Sequence, residues 1–145
     1  MGNVLDDVTD ETVDKAHVLR RVEDWQQRLH GLYDMIKEWL PYGWTVQREA
    51  SVSMHEGLMR KFDIEPKRLP TLNCDNGKGT VITLEPRALW IIGANGRVDL
   101  KCGKEHYLIV DLAENFETPT WQAAPAERRS ERRAVSSDWL RSILP

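Results

Sequence analysis

The longest regular pattern in the sequence runs from Asp10 to Leu40, where apolar residues recur every three or four positions. This spacing places the apolar side chains on one face of an α-helix. Thr9 or Asp10 can cap its start, and Pro41 and Gly43 end it. The pattern therefore predicts a long amphipathic helix whose apolar stripe consists of Val18, Val22, Trp25, Leu29, Leu32, Ile36 and Trp39.

This predicted helix is long for a chain of 145 residues. About 30 helical residues extend about 45 Å, whereas a compact domain of this size is only about 30–35 Å across. Part of the apolar stripe is therefore expected to extend past its own core. An apolar stripe without a core to cover typically contacts a partner.

Short elements follow the helix. Residues 44–52 predict a short strand, and Ser53 followed three positions later by Glu56 has the spacing of a capping box. The capping box predicts a short helix that ends near Phe62.

Between residues 71 and 112 the apolar and polar residues alternate, with turn sequences at regular intervals. Asp75-Asn76-Gly77, Pro86-Arg87, Asn95-Gly96 and Gly103-Lys104 each fit a hairpin turn. If the last three are two-residue turns, Leu84 pairs with Leu89, Ile82 with Ile91, Ile91 with Leu100, and Leu100 with Tyr107. The alternation predicts an antiparallel meander of four strands, and residues 71–74 add a fifth.

Paired residues lie on the same face of a sheet, so each proposed turn assigns residues to faces. The assignments from the three turns agree with one another. The inner face, which the long helix covers, consists of Ile82, Leu84, Leu89, Ile91, Val98, Leu100, Cys102, Tyr107 and Ile109. The outer face consists of Val81, Thr83, Trp90, Ile92, Arg97, Asp99, Lys101, His106, Leu108 and Val110. Two interpretations of the outer face stay open. Either a short helix covers it, or it is a docking surface with an aromatic anchor and a charged rim.

The chain ends in a segment of different composition. Residues 123–135 combine alanine, proline and four arginines, which predicts an exposed linker. Ser136 or Ser137 can cap a final helix that carries apolar anchors. The predicted organisation is therefore a single α+β domain over residues 1–122, an Arg-rich linker over 123–135 and a C-terminal helical segment over 136–145. In this α+β fold the long N-terminal helix packs on the meander.

Composition adds limits to this picture. The chain is 41% hydrophobic and 30% charged, with a net charge of −3, which is typical of one globular domain. Two cysteines are too few for a disulfide framework, and no run approaches 18 apolar residues. We therefore expect a cytoplasmic protein without a membrane segment.

The small net charge conceals opposite charges at the two ends. Residues 1–15 contain five acids and one lysine (−4), and residues 123–145 contain five arginines and three acids (+2). The two termini are therefore expected to meet each other or a charged target.

No known catalytic or phosphate-binding motif is present. Cys74, Cys102, His55 and His106 are metal-ligating residue types, but they lack paired-cysteine spacing, and the strand register separates Cys102 from His106. Asp99 and His106 share a sheet face, which predicts a surface charge contact more than a catalytic dyad. We predict no catalytic residue, no metal and no cofactor.

The sequence favours a non-enzymatic protein-interaction or regulatory accessory module that acts through a partner protein or as a homodimer. The predicted interface residues are Val18, Val22, Trp25, Leu29, Trp90, Ile92, Trp139, Leu140 and Ile143.

The alternative is a nucleic-acid-binding accessory protein. Residues 54–69 weakly resemble a helix-turn-helix, although Pro70 would end the second helix after about one turn. The basic residues for this alternative are Arg60, Lys61, Lys67, Arg68, Arg128, Arg129, Arg132 and Arg133.

Overall fold

A computed structural model describes residues 13–47 and 50–145 of the chain. It has the predicted α+β architecture, with a long N-terminal helix, an antiparallel sheet and a short C-terminal helix. The described helices are α1 (Lys15–Trp39), α2 (Gly57–Lys61) and α3 (Ser137–Ile143). The described strands are β1 (Thr45–Val46), β2 (Ala50–Met54), β3 (Lys67–Asp75), β4 (Val81–Ile91), β5 (Ala94–Cys102), β6 (Glu105–Asp111), β7 (Trp121–Pro125) and β8 (Arg133–Ala134).

Helix α1 is shorter than the pattern predicted. It has 25 residues, and the Asp14 side chain caps it by accepting a hydrogen bond from the His17 backbone N–H at 2.9 Å. The expected caps Thr9 and Asp10 lie outside the described residues. The apolar stripe is buried as far as Ile36. The expected overhang is therefore absent from the part of the helix that the structure describes.

The sheet confirms the predicted meander and extends it. Strands β3 to β8 are neighbours in chain order, and β1 and β2 both pair with β3. The Gly103-Lys104 turn is confirmed, because Cys102 lies opposite Glu105 and Leu100 opposite Tyr107. Two further strands, β7 and β8, enlarge the sheet beyond β6.

The other two proposed two-residue turns are wrong. Strand β4 continues through Pro86-Arg87, where a β-bulge between Pro86 and Ala88 adds one residue. The turn into β5 lies at Ile92-Gly93, with Gly93 at a positive φ of 85°. Asn95-Gly96 therefore lies within β5.

The two sheet faces are as predicted except at the end of β4. Trp90, predicted on the outer face, packs against the core beside Arg21 of α1, and Ile91, predicted on the inner face, lines a cavity on the outer face. The extra residue at the bulge reverses the alternation, so Leu84 and Leu89 point to the same side although they do not pair. Both are buried in the core, together with Ile82, Val98 and Leu100. The predicted pairs Leu84–Leu89, Ile82–Ile91 and Ile91–Leu100 do not form.

The capping box before α2 is also wrong. Ser53 belongs to β2, and the Glu56 side chain forms no capping hydrogen bond with α2. The carboxylate accepts backbone hydrogen bonds from Leu89 N–H at 2.7 Å and Trp90 N–H at 3.3 Å. These residues lie beyond Leu84, the last β4 residue that pairs with β3. Glu56 thus satisfies backbone donors that a neighbouring strand would otherwise bind.

Helix α3 packs on the inner side of the sheet. Ser136 caps it by accepting a hydrogen bond from Trp139 N–H at 3.1 Å. Trp139 and Leu140 are buried in the core, and the Trp139 ring meets the Tyr107 ring edge-on at 6.1 Å. This helix therefore does not cover the outer face.

The segment predicted as a linker is divided between sheet and loop. Ala123 and Ala124 are buried in β7, and Arg133 lies in β8. The exposed part is residues 127–134, which includes both residues of β8. Residues 126–132 form a loop that joins the paired strands β7 and β8.

A buried ion pair holds α1 to the loop at residues 112–120. Arg28 donates to Asp24 at 2.6 Å, to Asp111 at 2.5 Å and to a backbone carbonyl of that loop. Asp111 is fully buried and also accepts two backbone N–H groups, at 2.9 and 2.8 Å. The pair therefore fixes the path of the chain between β6 and β7.

Candidate functional site

The outer face of the sheet carries a groove of about 540 Å³. Leu108 and Val110 from β6 and Ala124 from β7 form its apolar floor. The Ile92-Gly93 turn and Leu112 lie at one end. None of the described helices contributes a residue to the groove. At this position no described helix covers the outer face, although Leu108 and Ala124 on the floor are only 7% and 4% exposed.

One side of the groove is basic. Arg129 and Arg132, from the loop at residues 126–132, line it. Neither forms an ion pair with another described residue, whereas the neighbouring Arg128 pairs with Glu131 at 3.0 Å. The two guanidinium groups therefore add uncompensated positive charge beside an apolar floor.

A carboxylate organises the third arginine of the groove. Asp99 accepts hydrogen bonds from Arg97 at 2.8 and 3.1 Å and lies 2.9 Å from His106 Nε2. The predicted contact between Asp99 and His106 is confirmed. Burial alone would raise the pKa of Asp99, but the hydrogen bonds from Arg97 and His106 outweigh it and hold that pKa below its usual value. Asp99 neutralises Arg97 and fixes its position.

We expect Asp99→Asn to be destabilising by about 1–3 kcal/mol at pH 7, because it removes charge-assisted hydrogen bonds at a buried site. Since the folded pKa lies below the ordinary value of 3.8, ionised Asp99 stabilises the fold above that pH, and the stabilisation is lost as the pH falls through the folded pKa. The difference between variant and parent should therefore shrink below about pH 4. Urea unfolding of variant and parent between pH 2.5 and pH 7 measures this difference in the free energy of unfolding.

Asp138→Asn is the matched control for this pH series. The Asp138 side chain is exposed, and its contact with Arg141 is 3.8 Å long. Exposed pairs of this kind contribute about 0–1 kcal/mol. A destabilisation by Asp99→Asn that stays constant down to pH 2.5 would contradict the assigned role of Asp99.

The structure places the predicted interface residues in two groups. Six are at most 3% exposed and pack inside the domain, namely Val18, Val22, Trp25, Leu29, Trp139 and Leu140. Ile143 and Trp90 are half-buried, and the Arg21 guanidinium carbon lies 5.7 Å from the centroid of the Trp90 ring system. Ile92 is fully exposed at the end of the groove. Of the predicted anchors, Ile92 is the one that lines it.

The basic residues of the nucleic-acid alternative are not brought together. One group, Arg60 to Arg68, lies on α2 and at the start of β3, and the other, Arg128 to Arg133, lies between β7 and β8. Strands β3 and β8 lie towards opposite edges of the sheet. The weak helix-turn-helix interpretation is wrong, because Lys67 begins a strand rather than a second helix.

The cysteines occupy inert positions. Cys74 and Cys102 are both buried, and burial raises the pKa of Cys74 to about 11 and also raises the pKa of Cys102. Both thiols are therefore protonated at neutral pH. Within residues 13–47 and 50–145, no group of three or more His, Cys, Asp or Glu residues is arranged to hold a metal ion.

Comparison with known proteins gives no family. No family model matches the chain, and neither a curated protein nor a solved structure matches it. Among the described helices, none combines the length and the apolar composition that a membrane-spanning helix needs.

Several groove features were missed from the sequence. Ile91 was predicted on the inner face and Ala124 in the exposed linker, yet both line the groove. Leu112 continues the alternation of Leu108 and Val110 on the outer face. Its position could therefore have been predicted from the two-residue period of a strand. The position of Arg129 and Arg132 had no such signal, because it depends on β7 pairing with β6.

Proposed function

We propose that this protein is a non-enzymatic interaction module that binds an apolar-anchored segment of a partner protein in the outer-face groove. The observation that carries the proposal is the exposed Ile92 beside an aliphatic floor that no described helix covers. Burying one large apolar side chain there would contribute about 1.5–3 kcal/mol. The groove volume of about 540 Å³ is sufficient for a few side chains of a partner segment.

A partner segment fits this groove better than a second copy of the chain. In a two-fold dimer the same surface of each copy meets. The uncompensated Arg129 and Arg132 of one copy would then face those of the other. Like charges opposed across an interface disfavour association.

The proposal is tested by selecting a library of random 12-residue peptides against the full chain and measuring binding of enriched peptides by fluorescence anisotropy. We expect the enriched peptides to share a large apolar residue. Ile92→Asp should weaken their binding about tenfold, which corresponds to the loss of about 1.4 kcal/mol of apolar contact. Tyr42→Asp should have no effect, because Tyr42 is equally exposed but does not line the groove.

A second variant, Val110→Ser, tests the groove floor at a half-buried strand position. Its melting temperature shows whether any loss of binding reflects loss of fold. Failure to enrich any peptide, or equal binding by the parent and both groove variants, would refute the proposal. If light scattering shows a dimer and Ile92→Asp dissociates it, the groove binds a second copy of the chain. That outcome would exclude the partner segment as the occupant of the groove.

A further inference from the structure

We infer that the partner segment carries carboxylates beside its apolar anchor and that Arg129 and Arg132 bind them. This inference rests on the proposed function and adds the charge of the partner. The described lining of the groove contains three arginines and no carboxylate. The groove therefore combines an apolar floor with one sign of charge.

The other arginines of this region already have acceptors. Arg97 is paired with Asp99, Arg128 with Glu131, and Arg133 donates to Ser142 Oγ at 3.1 Å. Arg129 and Arg132 remain without an ion-pair partner among the described residues. A guanidinium group matches the geometry of a carboxylate, with which it can form two parallel hydrogen bonds.

The backbone of the basic loop is fixed at several points. Ala126 N–H donates to the His106 carbonyl at 2.9 Å, which ties the start of the loop to β6. Inside the loop, Arg128 N–H donates to the Pro125 carbonyl and Glu131 N–H to the Arg128 carbonyl, each at 3.0 Å. These bonds fix the backbone that carries Arg129 and Arg132, whose side chains are exposed. A backbone ordered in advance lowers the entropy cost of binding.

The groove is less suited to a nucleic acid than to a peptide. Single-stranded nucleic acids bind through aromatic side chains that stack on bases, together with positive charge along the backbone. None of the described residues that line the groove is aromatic. Its aliphatic floor is instead suited to an apolar amino-acid side chain.

The inference is tested with three synthetic 12-residue peptides that share one central leucine and differ only in their flanks, which are acidic, neutral or basic. Binding to the full chain is measured by fluorescence anisotropy at 50 and 300 mM NaCl. The acidic peptide should bind about tenfold more tightly than the neutral one at low salt, and the difference should shrink at high salt. Arg129→Gln with Arg132→Gln should remove the preference.

Arg128→Gln with Arg133→Gln is the matched control. It removes the same charge from the same part of the chain, but neither residue lines the groove. This variant should keep the preference for the acidic peptide. If it loses the preference to the same extent as the first pair, the effect comes from overall charge and the inference fails.

The outcomes separate the inference from the proposed function. Equal binding of the acidic and neutral peptides would leave the groove as a docking site and overturn the inference alone. No binding of any leucine peptide, together with failure of the library selection, would overturn both. Tighter binding of a 20-residue oligo(dT) or oligo(U) strand than of the acidic peptide would identify a nucleic-acid site instead.

The remaining occupant to test is the acidic start of this chain, which lies outside the described residues. Replacing Asp6, Asp7 and Asp10 with asparagine and Glu11 with glutamine removes its charge. If the acidic peptide binds only to this variant, residues 1–12 occupy the groove and the inference of an external acidic partner is overturned. Equal affinity for parent and variant supports the external partner.

Discussion

Asp111→Ala should lower the free energy of unfolding by about 3–5 kcal/mol. Asp111 is fully buried, and its carboxylate accepts from the Arg28 guanidinium and from two backbone N–H groups. Removing it leaves a guanidinium that is 4% exposed with only Asp24 and one carbonyl as acceptors. Urea denaturation followed by tryptophan fluorescence measures the change.

Asp34→Ala provides the control for this ion pair. Asp34 is exposed and lies 3.7 Å from Lys37, so its removal should cost less than about 0.5 kcal/mol. Replacing both partners, with Arg28→Met and Asp111→Leu, should be much less destabilising than Asp111→Ala alone, because no unpaired charge remains buried. A cost below about 1 kcal/mol for Asp111→Ala would show that the pair does not hold the loop.

Gly96→Ala should also be destabilising by about 3–5 kcal/mol. A Cβ atom at Gly96 would lie 2.3 Å from Cζ3 of the buried Trp25 ring, and the Gly96 φ is +101°. Overpacking and an unfavourable φ each cost about 1–3 kcal/mol. Thermal and urea unfolding of the full chain measure the combined effect.

Gly93→Ala separates these two causes. Gly93 has a φ of +85°, but a Cβ atom added there would have no neighbouring atom within 4 Å, so its cost should be about 1–2 kcal/mol. A double-mutant cycle with Trp25→Leu should show coupling, since a smaller side chain relieves the clash at Gly96. Equal costs for the two glycine variants would mean that the Trp25 ring can move away.

The features that the sequence predicted correctly are those that depend on local period. The stripe from Val18 to Ile36 repeats at helical spacing, and the strand residues alternate, so the helix and most of both sheet faces were predicted correctly. Trp90 and Ile91, next to the turn into β5, are the exceptions. Two of the three proposed two-residue turns were wrong. Pro86-Arg87 has the composition of a turn but lies at a bulge, and Asn95-Gly96 lies within β5. A bulge and a two-residue turn both preserve the inward position of Leu84 and Leu89, so the alternation did not distinguish them.

The candidate site was predicted only in part. Ile92 and Val110 were placed on the outer face by alternation alone. The α1 anchors were predicted as interface residues because the helix was expected to exceed its core. The sheet is wider than predicted, and β7 adds the buried Trp121 and Ala123 to the core. Tertiary pairing of this kind has no short-range signal in residues 121–125, which lack alternation.

The loop that carries Arg129 and Arg132 is bounded by β7 and β8, and its residues 127–132 are exposed. A surface loop of this kind can change length and sequence at small cost to folding, because each doubling of loop length costs only about 0.6 kcal/mol. The floor of the groove belongs to the sheet and is constrained by the core beneath it. Under the proposed function, mutation in this loop can therefore alter the choice of partner while the framework that presents the loop is retained.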